Sequence, residues 1–219
     1  MKICVLIPAY NEAKTIQSLV EEVRKYIPDV LVIDDGSIDK TAPLAESAQA
    51  KVCYQPINRG KGAILRQGFE EALRQGFDWV LTMDADGQHS PQDIPVFLEK
   101  TQQGTAGMVI GNRLNDRGEM PAVRWVTNHL MSFLISRLVH QEIPDTQCGF
   151  RLIHRDILQK VQLESARFDI ESELVIQTVK SGFKITSVPI RSIYDGQTSQ
   201  IRPIKDTIRF IRLLCRSFF

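Results

Sequence analysis

The 219-residue chain reads as an α/β protein, a mostly parallel central sheet flanked by helices. Two observations carry that reading. Short apolar runs alternate with stretches whose apolar residues recur at helical spacing, the pattern of repeated βαβ units with right-handed crossovers. The unusual polar residues also collect just after the apolar runs, where open α/β sheets bind their ligands.

In chain order, Ile3–Ile7, Val30–Ile33, Lys51–Tyr54, Trp79–Met83 and Gly107–Gly111 read as strands. Between them Lys14–Tyr26, Thr41–Ala50, Ala63–Gln75 and Gln92–Lys100 read as amphipathic helices. After about residue 112 the alternation breaks. A polar loop, Asn112–Met120, leads to a helix over Ala122–Val139 and a second loop, Gln141–Gly149. A short strand (Phe150–Ile153), helices around Arg155–Val161 and Ile170–Lys180, and a strand near Lys184–Val188 complete the pattern. With no linker, repeat or low-complexity segment, one domain with a specialised second half is expected: residues 1–112, then 113–219.

Composition narrows the classes. Hydrophobic residues at 43% and charged residues at 24% describe a globular chain, and a net charge of +1 gives no field to recruit nucleic acid. Residues 191–219 nevertheless carry six basic and two acidic side chains, so this end is a candidate for contact with an anionic surface. Arg209, Arg212 and Arg216 share one side of a helical projection, and Ile208, Ile211, Leu214, Cys215 and Phe218 share another. That spacing fits an interfacial membrane helix, or a helix docked on its own sheet or on a partner subunit. No apolar run approaches the ~18–20 residues of a membrane span, and Met1 leads directly into a strand, so a cytoplasmic protein, soluble or peripheral on the membrane face, is expected. Cys4, Cys53, Cys148 and Cys215 form no CxxC pair, in keeping with a reducing compartment.

Four strand ends point to one kind of site. The first closes in Pro8-Ala9-Tyr10-Asn11-Glu12, where Pro8 stops the ladder and Asn11 is a plausible helix N-cap. An aromatic at a strand tip, Tyr10, is suited to stack on a base. The second closes in Asp34-Asp35-Gly36-Ser37; Asp35 could accept hydrogen bonds from a ribose or base, while Asp39 could cap the next helix. Asn58-Arg59-Gly60-Lys61-Gly62 opens a helix without the GxxxxGK[ST] of a P-loop. Its glycines permit close backbone approach, and Lys61 either reinforces an anion site or is simply solvated. The fourth closes in Asp84-Ala85-Asp86-Gly87-Gln88-His89. Two carboxylates at a buried strand tip are costly unless a cation is expected, and a divalent Mg²⁺ or Mn²⁺ shared with a substrate supplies one. Together these ends describe a nucleotide-diphosphate site that lacks the GxGxxG of a dinucleotide fold.

The stretches "IPAYNE", "VIDDGSIDKT", "NRGKGAI" and "MDADGQH" resemble, in order and spacing, the inverting glycosyltransferase family 2 with its GT-A fold. "IGNRL", "DTQCGFRLIHRD" and "FDIESEL" narrow the resemblance to the branch that acts on dolichol or polyprenyl phosphates. It implies a GT-A fold (Rossmann-like), a nucleotide-sugar donor, a polyprenyl-phosphate acceptor and a DXD-type metal site. By position, Pro8, Ala9, Tyr10, Glu12, Asp34, Asp35, Lys61 and Ala85 would line the nucleotide pocket. Asp84, Asp86 and Gln88 would hold the metal and diphosphate. Arg113, Arg124, Arg151, Ser199 and Arg202 would approach the sugar and acceptor phosphate, with Asp84, Asp86 and Arg113 the catalytic set. "YDGQTSQIRP" departs from the branch, whose members more often carry an arginine followed by GxSK, and the C-terminal spans of some relatives are missing. Glu171 falls about where sugar-accepting relatives carry a base, and for a phosphate acceptor it would instead hold a neighbouring arginine. Competing readings are a sugar-to-sugar transferase, a nucleotidyltransferase, for which "IPAYNE" is a poor glycine-rich loop, and a non-catalytic nucleotide-sugar-binding partner.

Overall fold

The structure, a computed structural model, describes residues 1–102, 104, 106–115, 120–165, 167, 169–191 and 193. Seven strands form one sheet: β1 (Ile3–Ala9), β2 (Val30–Asp34), β3 (Lys51–Tyr54), β4 (Trp79–Thr82), β5 (Met108–Asn112), β6 (Arg151–His154) and β7 (Ile185–Pro189). Their order is β3-β2-β1-β4-β6-β5-β7. The central strands are buried along their length, as expected where helices cover both faces of a sheet. Helices α1 (Ile16–Arg24), α2 (Thr41–Ser47), α3 (Lys61–Arg74), α4 (Ile94–Gln102), α5 (Ala122–Val139), α6 (Arg155–Lys160) and α7 (Asp169–Lys180) supply the cover. α1 buries Ile16, Leu19, Val20 and Val23, an i, i+3, i+4, i+7 stripe.

The break in alternation after residue 112 has a physical origin. β6 inserts antiparallel between β4 and β5, with Thr82 opposite Arg151 on one side and Ile110 opposite Arg151 on the other. A reversed strand begins where its neighbours end. The loop before β6 is thus delivered to the edge at which β1, β2, β4 and β5 terminate.

α5 turns an apolar face outward, while Ile135, with Met131, Leu138 and Val139, packs on the core. Its buried residues are Asn128, Ser132 and Ile135, while Val123, Val126, Leu130, Phe133 and Leu134 are exposed. Ser132 is held inside: its Oγ accepts the Thr146 N–H at 2.9 Å and lies 3.2 Å from Thr146 Oγ1. The basic helix expected at the C-terminus, together with Ser199 and Arg202, lies outside the described residues, as does Arg117.

Candidate active site

The loops after β1 and β2 are stitched together. Asn11 is not a helix cap: it takes a left-handed φ of 56°, donates its N–H to Ser37 Oγ (2.9 Å) and accepts the Ile38 N–H on Oδ1 (2.9 Å). Helix α1 starts later, at Ile16. Asp34 is buried and binds the Ser37 hydroxyl and N–H, so it holds a turn where the sequence suggested a nucleotide contact. Asp39, one residue before Lys40, the N-cap of α2, ties this loop down by accepting from the Thr41 and Ala13 N–H groups at 2.9 and 3.2 Å. Tyr10 remains exposed at the strand tip, beside buried Ala9.

Asp35 is also buried, and both of its oxygens are used. Oδ1 accepts from Arg59 N (2.7 Å) and Oδ2 from Gly60 N (2.9 Å). It thereby fixes the loop that opens α3, where Gly60 takes φ 91°, a conformation L side chains rarely adopt. That loop aims Lys61 inward. Its Nζ lies 2.6 Å from Asp84 Oδ1 and 2.6 Å from Glu171 Oε1. Glu171 therefore holds a lysine and not the arginine expected from sequence. Burial opposes the charge on Lys61, yet Asp84 and Glu171 outweigh it and raise the ammonium above its ordinary range.

Asp84 and Asp86 follow β4 and have opposite surroundings. Burial pushes the Asp84 carboxyl up, but Lys61, then His89 and Arg113, bring it down to about 2. Asp86 is raised, first by burial and then by the charge of Asp84; the Gln88 N–H donates to its Oδ1 at 3.0 Å, and Arg124 lies near enough to lower it somewhat. Glu12, across from it, is likewise raised by burial and by Asp86. Thr15 Oγ1 donates to the Ala85 carbonyl at 2.6 Å and pins the backbone between the aspartates. His89 is buried against Phe150 and held neutral, chiefly by burial, at about 4. Its Nδ1 accepts the Asp84 N–H at 3.3 Å, which puts the proton on Nε2.

The reversed strand brings the second half of the chain to this point. Gly149 sits so close that a Cβ there would meet Asp84 Oδ2 at 2.7 Å and Glu171 Oε1 at 3.0 Å. Pro8, Lys61, Asp84, Gly149 and Glu171 line one small cleft. Arg113, 6% exposed, makes a two-pronged pair with Asp145, 1% exposed: Nε to Oδ2 at 2.8 Å and Nη2 to Oδ1 at 3.1 Å. Arg151 departs from its expected approach to the acceptor. It is buried, and its guanidinium donates to the carbonyls of Cys148 (2.7 Å), Glu171 (2.7 Å) and Thr146 (2.8 Å), which braces the loop before β6 against α7. Thr15, His89 and Gly149 are contributors that the sequence did not single out.

Asp84 and Asp86 suit a divalent cation. They are hard oxygen donors, near enough that the charge of Asp84 raises the Asp86 carboxyl. Among the described residues no group of three or more His, Cys, Asp or Glu could hold an ion unaided. Mg²⁺ or Mn²⁺ would thus share these carboxylates with substrate oxygens and water.

A mostly parallel sheet with an inserted antiparallel strand, and paired aspartates at the tip of β4, define a GT-A glycosyltransferase. The family model for glycosyl transferase family 2 matches residues 4–162, and the chain belongs to that family. Over 205 residues it is 31% identical to the undecaprenyl-phosphate mannosyltransferase of Micrococcus luteus, covering 87% of this chain and 83% of that one. It is 29% identical over 215 residues to the UDP-N-acetylglucosamine–dolichyl-phosphate N-acetylglucosaminyltransferase of Methanococcus voltae, covering 88% and 86%. Among solved structures, glucosyl-3-phosphoglycerate synthase from Mycobacterium tuberculosis, in complex with Mn²⁺, UDP and glucosyl-3-phosphoglycerate, superimposes with a TM-score of 0.73 at 18% identity. That likeness covers 99% of this chain and 78% of that one and concerns the fold. Among the described residues no helix is long and apolar enough to cross a membrane.

Proposed function

We propose that this glycosyltransferase moves a hexose, with inversion, from a nucleotide diphosphate sugar of the GDP-mannose or UDP-glucose type to a polyprenyl phosphate at a membrane surface. The observation that supports the lipid acceptor is the exposed apolar face of α5. Val123, Val126, Leu130, Phe133 and Leu134 form an exposed apolar stripe on a helix whose N-terminal turn carries Arg124, within electrostatic reach of Asp86. A phosphate placed at that turn would leave its isoprenoid chain to follow the stripe. The two relatives named for polyprenyl-phosphate and dolichyl-phosphate transfer support the same acceptor class.

The chemistry fits an acceptor that is already an anion. Its phosphate oxygen forms the new bond to the anomeric carbon as the bond to the donor's diphosphate breaks, and no proton has to be removed first. Glu171, the carboxylate standing where a base would be, is held by Lys61 at 2.6 Å. Arg124 and Arg113 would position the acceptor phosphate, and Asp145 fixes the orientation of the latter. The nucleoside would stack on Tyr10 beside the loop that Asp35 holds. A divalent ion held by Asp84, Asp86 and Gln88 with the diphosphate would offset charge developing on the leaving group.

Transfer from candidate nucleotide sugars to polyprenyl phosphates of short and long chain tests this reading. Leu130→Asp with Phe133→Asp is expected to raise KM for the long-chain acceptor by about tenfold or more while sparing a short, water-soluble one. Arg124→Ala raises KM for both acceptors, and Glu171→Gln keeps substantial transfer. Equal effects of the α5 variants on both chain lengths, or a dead Glu171→Gln with a fully active Arg124→Ala, refute it and favour a hydroxyl acceptor.

A further inference from the structure

Lys61 joins two carboxylates from distant parts of the chain, Asp84 beyond β4 and Glu171 in the first turn of α7. Both contacts measure 2.6 Å, and the three side chains are between 11% and 27% exposed. Gly149 permits the convergence, since a side chain there would press on both acids. The ammonium thus stands on an oxygen of the carboxylate that a divalent ion would also use. A divalent ion on either oxygen of that carboxylate would stand within a few Å of the ammonium and meet strong repulsion in so enclosed a place.

We propose that Lys61 is a positioning residue that acts as the resident counter-cation of the empty donor site, blocking Asp84 against a divalent ion until a nucleotide diphosphate arrives with it. The proposal rests on the metal-sharing reading given above and adds a sequence of events to it. Without nucleotide, an ion must displace Lys61 and recovers only carboxylate oxygens. With a diphosphate present, the ammonium is offered new anionic oxygens, keeps its hold on Glu171, and releases Asp84. Ion and nucleotide then bind cooperatively, each weakly without the other. A merely structural strut between α3, β4 and α7 would produce no such coupling.

The test is Mn²⁺ binding to the intact protein by electron paramagnetic resonance, first alone and then with UDP or GDP. In the native protein, nucleotide tightens Mn²⁺ binding strongly. Lys61→Met is expected to tighten Mn²⁺ alone by about tenfold or more and to shrink the gain from nucleotide, because no ammonium has to be displaced. Lys61→Arg, which keeps the charge, behaves like the native protein. Arg59→Met, which removes an exposed charge two positions away, changes Mn²⁺ affinity by no more than about twofold. Should Lys61→Met fail to fold, Lys61→Gln retains hydrogen bonds to both acids without the charge and carries the same expectation. Unchanged Mn²⁺ affinity in the folded, uncharged variant, with nucleotide coupling intact, overturns the proposal. Absence of Mn²⁺ binding in the native protein even with UDP or GDP overturns the metal reading itself, and this proposal with it.

Discussion

Asp145→Asn tests how the second half of the chain is held together. The carboxylate is 1% exposed and accepts from Arg113 Nε (2.8 Å), Arg113 Nη2 (3.1 Å), the Arg113 N–H (3.3 Å) and the Gln147 N–H (3.2 Å). The substitution is nearly isosteric, so its main effect is to leave the Arg113 guanidinium buried opposite a neutral amide. Breaking a buried pair from one side costs about 3–5 kcal/mol. In a chain of this size each kcal/mol moves the melting temperature by about 2–4 °C, so a fall of roughly 6–20 °C is expected. Arg113→Met together with Asp145→Asn removes the buried guanidinium charge as well and is expected to melt higher than Asp145→Asn alone.

The pH dependence has a definite sign. Burial alone would raise the Asp145 carboxyl, but Arg113 outweighs it and holds the group below its ordinary range. A carboxylate depressed on folding stabilises above its unfolded pKa, about 3.9, and that contribution is lost as pH falls through the lower folded value. The advantage of the native protein over Asp145→Asn is therefore full at neutral pH and narrows below pH about 4. Urea and thermal melts across that range are the assay. A loss under about 1 kcal/mol at pH 7, the worth of an exposed pair, or a double variant less stable than Asp145→Asn, refutes the argument.

Two further outcomes follow from the donor side. Asp86→Ala, or chelation with EDTA, is expected to lower turnover by about 100-fold or more, because the charge on the departing diphosphate loses its stabilisation; retained turnover in both arms contradicts a metal-dependent reaction. Gly149→Ala inserts a methyl 2.7 Å from Asp84 Oδ2 and should depress kcat by roughly tenfold to 100-fold through misplacement of that carboxylate; thermal melts separate this from unfolding, and an unchanged kcat would show that the carboxylate can give way.

What was legible in the sequence follows from the range of the interactions involved. The strands of the first half announce themselves because β1, β2 and β4 are buried along their length. Asp84 and Asp86 are conspicuous because two acids after an apolar run have no local partner. β6 is different: the run Arg151–His154 has the same alternation read in either direction, so nothing local declares it antiparallel. Gly149 owes its place to Asp84, sixty-five residues earlier, and His89 binds the Asp84 backbone only because the chain turns at Gly87. Arg151 looked available because buried arginines are rare, and its three carbonyl partners come from loop and helix backbone that no sequence pattern specifies. On α5, helical spacing separates two faces but does not say which one turns inward.

The same contacts also indicate where positive charge is missing. On the α3 and α7 side of the cleft Asp84 has Lys61, and beyond it Asp145 has Arg113; both carboxyls are held low. On the β1 side, Asp86 and Glu12 are both raised, by burial and by other carboxylates, and among the described residues neither makes an ion pair. On the reading proposed above, an incoming cation would relieve repulsion at Asp86 and Glu12 and would reach Asp84 only as Lys61 gives way. Tyr10 and the loop held by Asp35 border the same side. On the same reading, a nucleotide that arrives with its ion would approach between β1 and the tip of β4, its diphosphate within reach of Lys61, and the outer face of α5 would be left to the acceptor.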